Sequence, residues 1–426
     1  MLATSGSSAP SESVRTLAFW PLVIDPRGRE HGGVDDIDDA RTWWGVGLAV
    51  AVVGWGAQQF APLLLMYQDE LGLTTTTIQA VFGLYVLGLI PGLLLGGPVS
   101  DRYGRRRVMV PTLAASVVGT ILLMLGGTGI GWLFAGRLVA GAASGAAFSS
   151  GAAWIKELSA TGSGARRVTV AMTAGFGLGP LLAGVLAQWA PAPTVLPYLP
   201  HLVLAAAAFG PTRRAPETRR RPDGRVGRRI PKIRSRRFRT VVVPLAPWVF
   251  GSAAIALAYL PGLVRSHLGG HAVAFSALVT LLTAGAGILV QPLARRVDHP
   301  VRPRLLATGL AIVVAGLLVG AAAAAAAQPL LVIAAALVLG GGYGCCQVCG
   351  LLEVQRLAQP DRLAGLTAAY QAIAYVGFAA PFPLAWAGRA VPAGDLLVAV
   401  AVLATLTLAW TTAQARPSSR GGARYV

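Results

Sequence analysis

The stretch Gly97-Pro98-Val99-Ser100-Asp101-Arg102-Tyr103-Gly104-Arg105-Arg106 separates two apolar runs, Thr77 to Gly97 and Val108 to Gly126. Each run is close to the roughly twenty residues that span a hydrocarbon layer, and neither carries the amphipathic stripe of a soluble helix. The stretch therefore reads as the short polar turn between two membrane helices. Gly97 permits close helix approach and Gly104 a tight turn, while Asp101 can accept hydrogen bonds from nearby arginines or face the positive N-terminus of another helix. A loop that merely holds arginines on one side explains the charge of Arg102, Arg105 and Arg106. It does not explain Asp101 and two glycines at these spacings.

Outward from this turn the same pattern repeats. The 426 residues are 54% hydrophobic, with a mean hydropathy of +0.62. Apolar blocks run from Trp43 to Leu65, Thr77 to Gly97, Val108 to Gly126, Gly131 to Ala153, Val168 to Trp189 and Val195 to Phe209. Six more follow at Val241 to Val264, His271 to Leu293, Leu305 to Ala326, Pro329 to Leu352, Leu363 to Trp386 and Gly394 to Trp410. The expected fold is an all-α membrane protein with twelve transmembrane helices in two six-helix halves. Residues 1–42 read as a disordered cytoplasmic tail, 43–211 and 241–412 as the two bundles, 212–240 as a basic cytoplasmic linker and 413–426 as a second tail.

Charge tests the count. Alternate connections must fall on opposite sides, and of 36 Lys and Arg, 33 fall on one side. Arg265 and Arg389 alone fall on the other, and Arg137 lies inside the fourth block. Lysine and arginine mark the cytoplasmic side of a membrane, so both termini are expected in the cytoplasm and the chain in the plasma (inner) membrane as a multi-pass protein. The net charge of +19 is then topology rather than a nucleic-acid face, because it is dispersed between apolar blocks. Thirteen basic residues lie in the linker, which could also meet anionic headgroups of the lipid bilayer. Cys345, Cys346 and Cys349 share one apolar block and read as small buried residues, with no metal spacing.

A repeat supports the two halves. Glu157 and Arg166 recur as Glu353 and Arg362, both at an offset of 196 residues, and Gly175-Phe176 before Pro180 is echoed by Gly377-Phe378 before Pro381. The loop equivalent to 97–106 in the second half, Gln291 to Arg296, keeps two arginines but has Ala294 where an acid might stand.

The decisive stretch resembles the G-x-x-x-D-R-x-G-R-R/K signature of the major facilitator superfamily, matched at every position and placed in the loop where that family carries it. The resemblance implies the major facilitator fold, a midplane site and a gate at Gly97, Asp101, Arg102, Gly104, Arg105 and Arg106. Helix 4 carries Gly136-Arg137 before Ala140-Gly141, similar to a second family signature. A buried guanidinium is costly in hydrocarbon, so Arg137 either faces a polar cavity or bonds the backbone of helix 1 or 2. Helix 5 reads Gly175-Phe-Gly177-Leu-Gly179-Pro180-Leu-Leu-Ala183-Gly184, which resembles the motif of the drug/proton antiporter (efflux) branch. There Gly175, Gly179, Pro180 and Gly184 would form a hinge; a plain Gly-rich packing face is the alternative.

In the family the polar and aromatic residues of helices 1, 4, 7 and 10 line the path. Here these are Trp55, Gln58, Gln59, Arg137, Trp248, Ser252, Tyr259, Tyr343 and Gln347. No Asp or Glu lies deep in a span, and His201 reads as an interfacial group near the outer end of helix 6. That disfavours a cationic substrate and suits a neutral, amphipathic or anionic one. The chain presents no nucleophile–base pair, so it reads as no enzyme and needs no cofactor. The expected function is export of a small organic molecule by a monomer, driven by protons. Uptake of a metabolite by symport, and a transporter-shaped sensor or interaction protein, are the alternatives.

Overall fold

The computed structural model describes residues 35–159, 163–218, 235–299, 302–359 and 363–415. Among the described residues, eleven helices are long and apolar enough to cross a bilayer: Trp43–Glu70, Thr75–Tyr103, Arg105–Thr128, Ile130–Glu157, Gly164–Trp189, Phe238–Leu263, Ala272–Val297, Arg304–Ala326, Pro329–Leu357, Leu363–Ala387 and Ala393–Ala415. The twelfth, sixth in chain order, is Leu199–Arg214, whose 16 residues follow the short turn Leu196–Tyr198. These are helices 1 to 12. The helices alternate in direction, so the arginine-rich connections share one face, here the basic face.

Several boundaries move outward. The helical backbone of helix 1 begins at Asp35, inside the segment expected to be a tail, so the acidic cluster Asp35 to Asp39 opens a helix. Helix 6 continues through Arg214 and helix 7 starts at Phe238, which shortens the linker at both ends. Helix 12 runs to Ala415. The N-terminal 34 residues, linker residues 219–234, Arg362 and residues 416–426 lie outside the described residues.

Two cores form, one within the second half and one centred on the first that also takes in Ala254, Leu257, Ala258, Tyr375 and Phe378. In the first half, helices 2 and 4 are in backbone contact: a Cβ on Gly141 would lie 2.1 Å from the Tyr85 carbonyl oxygen. With no hydrophobic drive between helices in lipid, such contact is what holds them together. The second half repeats the device between helices 11 and 7, where a Cβ on Gly377 would stand in the place of the Pro247 carbonyl oxygen. Its counterpart Gly175 does the same between helices 5 and 1, so the echo seen in the sequence is a repeated contact in three dimensions.

The halves meet on the face opposite the basic one. Arg265 pairs with Asp69, Gln79 Nε2 donates to the Ala258 carbonyl at 2.6 Å, and Gln188 donates to Gly270 and accepts from the Ala274 amide, at 3.0 and 3.1 Å. Thr76 Oγ1 donates to the Ala385 carbonyl at 3.1 Å. Among the described residues no hydrogen bond or ion pair joins the two halves on the basic face.

Candidate functional site

Helix 1 is broken near its middle. Its α-helical turns stop at Gln58, Pro62 sits in the tight turn Ala61–Leu63, and the helix resumes at Leu64. Proline has no N–H and its ring displaces the preceding turn, so carbonyls near the break lose their usual donors. One of them is taken up by Arg137, whose guanidinium donates to the Ala57 carbonyl at 3.0 Å and, from its other nitrogen, to the Phe82 carbonyl of helix 2 at 3.2 Å. The rings of Tyr85, Phe60 and Phe82 surround it, with centroids 4.5, 5.1 and 5.5 Å away. Arg137 is therefore placed in the seam of helices 1, 2 and 4, 1% exposed, and ties two backbones together.

Helix 7 is interrupted at the matching level. A π-turn, Ile255–Tyr259, stands 196 residues after positions 59–63, the offset already seen for Glu157 and Glu353. Its Ala258 carbonyl receives Gln79 across the halves. Broken or loosened helices at midplane are where transporters of repeated halves expose backbone to a substrate.

Between the halves runs an aromatic stack. Phe82 lies on Phe378 with centroids 4.6 Å apart, and Phe250 lies on Tyr375 at 4.1 Å and against Tyr343 at 5.6 Å. Of the path residues expected from sequence, Tyr343 joins this group. Trp55 leans on Gly179 of helix 5, its indole N–H without a partner, and half-buried Gln58 has an unpartnered Oε1. Gln59 instead turns inside the first half to Thr120. Ser252 is buried and donates to the Val249 carbonyl of its own helix, Gln347 meets the Tyr370 hydroxyl, and Trp248 is half-buried against the second core. Tyr259 lines a cavity of about 140 Å³ beside the Asp69–Arg265 pair, at the sealed face. Phe82, Phe250 and Tyr375 are not among the residues that the sequence points to, and Phe378 enters there only through the Gly377-Phe378 repeat; of the four, Phe250 alone lies on one of the helices expected to line the path, helix 7.

The turn 97–106 folds as a compact charge cluster. Arg105 is clamped by Glu157 in two bonds of 2.7 and 3.1 Å and by Asp101 at 2.6 Å. Gly104 holds φ at +108°, which only glycine adopts freely. Gly97 is a correction: a Cβ there would meet only Ser149 Cβ at an ordinary 3.8 Å, whereas one on Gly96 would lie 2.6 Å from Ser149 Oγ. The tight approach is one residue earlier than the signature glycine.

Glu217, unremarked in the sequence, completes this cluster. Its carboxylate accepts from the backbone amides of Arg105 and Arg106 at 2.6 and 3.1 Å, capping helix 3. Trp154 Nε1 donates to the Pro216 carbonyl at 2.9 Å, so the first linker residues lie across helices 3 and 4. Replacing Glu217 with alanine should cost about 1 kcal/mol in unfolding midpoint measurements, the usual worth of a cap. Arg102 and Arg106 point outward, Arg106 donating to the Arg213 carbonyl. In the second half Glu353 pairs with Arg237 at 2.8 Å and Arg356 with both Glu353 and Asp298. Asp298 thus supplies the acid that Ala294 does not.

The Major Facilitator Superfamily profile matches residues 46–381. The chain belongs to this superfamily. It has the superfamily's fold, and superposes on a crystal structure of the nucleoside transporter NupG with a TM-score of 0.67, at 11% identity, over 88% of this chain and 99% of that one. Among curated members of the superfamily, a chloramphenicol resistance protein of Pseudomonas aeruginosa is 24% identical over 62% of this chain. Mouse facilitated glucose transporter member 10 is 31% identical over 34% of it. The matches span 64% and 30% of those two relatives, less than two thirds of either.

Proposed function

We propose that this transporter exports a small neutral or amphipathic organic molecule from the cytoplasm, exchanging it for protons as its halves rock. The basic face is then the cytoplasmic one, and the arrangement described above is the inward-facing state, closed outside by Asp69–Arg265, Gln79 and Gln188. The observation that carries export is the helix 5 motif in its setting. Gly175 bears on helix 1 of its own half, while a Cβ on Gly184 would lie 2.3 Å from the Ala277 side chain of the other. Helix 5 is thereby the element on which one half turns against the other, with Pro180 loosening it between the two contacts. The likeness to the chloramphenicol resistance protein agrees with export. Uptake is the competing direction, favoured by the likeness to the glucose transporter.

The substrate meets Trp55, Gln58, Tyr343 and the aromatic stack. Rings give area without charge, and the unpartnered indole N–H and amide oxygen give a donor and an acceptor. In this state Asp101 is 64% exposed at its side chain and bonds only within its own half. It is free to engage the second half when the basic face closes, so Asp101→Asn should lower flux without lowering expression. The direct test is flux of labelled chloramphenicol and a small panel of neutral aromatic compounds in proteoliposomes. Accumulation driven by an acidic lumen and abolished by a protonophore is expected. Failure of every compound to move, by counterflow or under a pH gradient, overturns the reading.

A further inference from the structure

His201 is fully buried between helices 1, 3 and 6, its Nδ1 3.0 Å from Thr120 Oγ1 and its Nε2 3.2 Å from Ser116 Oγ. Gln59, at the break in helix 1, donates through Nε2 to the same Thr120 oxygen at 2.9 Å, and its Oε1 has no partner. Helix 1 makes room for the ring with Gly56, where a Cβ would lie 2.7 Å from Nε2 and 2.9 Å from Ser116 Oγ.

We propose that His201, caged by Ser116, Thr120 and Gln59, is the group that binds and releases the exchanged proton. This rests on the antiport reading of the previous section. The chemistry of the cage carries it. A hydroxyl can donate to a bare ring nitrogen or accept from a protonated one, so two hydroxyls on two nitrogens accommodate imidazole and imidazolium by turning their O–H bonds, with the ring itself in place. When a proton joins the free nitrogen, the hydroxyl that had been donating to it must turn away and donate elsewhere. At Thr120 that acceptor is available in Gln59, whose unpartnered Oε1 reaches the hydroxyl once the amide turns over. The proton adds as one N–H bond and leaves by breaking it, with no other bond changed.

The other groups facing this place are already engaged and carry no acid. On helix 1 and the turn before helix 6, the Tyr67 and Tyr198 hydroxyls pair with each other at 3.0 Å, and Tyr67 donates to the Leu123 carbonyl. On helix 4, Arg137 is held by the Ala57 and Phe82 carbonyls. On helix 3, Ser116 and Thr120 meet the ring, and on helix 1 the Val52 backbone carbonyl accepts a hydrogen bond from it. Gln59 belongs to the broken segment of helix 1 that fronts the path, so a change in that segment on rocking alters the cage directly.

The test needs no substrate. Spin labels at Trp189→Cys and Ala272→Cys report whether the face opposite the basic one is closed or open, and the probe is pH, varied from about 5 to about 8 across the histidine range. In the otherwise native chain the balance of the two distances should shift with pH. His201→Gln keeps hydrogen-bonding capacity towards Ser116 and Thr120 but binds no proton, and should flatten the shift at least about fivefold while both distances persist. A native-sized shift in His201→Gln overturns the assignment and leaves the antiport reading standing. No shift in the native chain removes the antiport reading and the site with it. If His201→Gln does not insert, Gln59→Leu serves instead: it deletes the spare acceptor and should move the pH midpoint, and an unmoved midpoint overturns the proposal.

Discussion

Replacing Arg137 with alanine is expected to abolish transport, with flux falling at least about tenfold, and to lower the unfolding midpoint in detergent. The guanidinium donates to two carbonyls on two different helices. Losing it leaves the Ala57 carbonyl at the break without this donor, at about 1–3 kcal/mol, and removes a cation from three aromatic rings. Against this stands relief from burying a charge, which is of similar size. The net loss of stability is therefore expected to be modest, about 2 kcal/mol, while the geometry of the helix 1 break is lost outright. Flux should suffer far more than folding. Arg137→Lys should rescue stability better than flux, since a single ammonium cannot span both carbonyls as the planar fork does. Native flux in the alanine variant would show that the break in helix 1 needs no such tie.

The second large effect separates two glycines two residues apart. A Cβ on Gly175 would lie 2.1 Å from the Ala51 carbonyl oxygen and 2.9 Å from the Trp55 amide nitrogen. Both are backbone atoms and cannot rotate aside, so Gly175→Ala must push helix 5 off helix 1, at a cost of about 1–3 kcal/mol or more. Around Gly177 nothing lies within 4 Å. Both substitutions gain about 1 kcal/mol of helix propensity, so Gly177→Ala should be neutral or stabilising while Gly175→Ala destabilises and stops transport. Thermal unfolding and flux on the pair check this. Equal effects would mean that the motif acts through helix flexibility alone, not through contact.

What was legible in the sequence was whatever is written as period, length or charge. Span count, direction and the two halves came from apolar length and arginine placement, and the turn at Gly104 from its glycine. Distances across helices were not legible. The sequence left Arg137 open between cavity and backbone, because one arginine in an apolar run reads alike in both. His201 sits six residues after the valine that opens its block, so position suggested the interface; which helices covered it depended on packing. Gly97 was misread for a related reason, since adjacent glycines point about 100° apart on a helix and only the neighbour's position decides which is crowded. Glu217 lay in a basic linker, where composition hides a single acid that caps a helix from over a hundred residues away in sequence. The aromatic stack draws Phe82 from helix 2 and Tyr375 and Phe378 from helix 11, where an aromatic residue in an apolar run reads no differently from a lipid-facing one.

Under the proposed function the two halves move against each other about the closed face opposite the basic one. Spin-label distances between Trp189→Cys and Ala272→Cys, taken in lipid bilayers with and without a pH gradient, test it most directly. Two populations are expected: a short one, as in the contact of Gln188 with Gly270, and a longer one in which the face has opened, with the gradient changing their ratio. A single short distance under every condition would contradict the account.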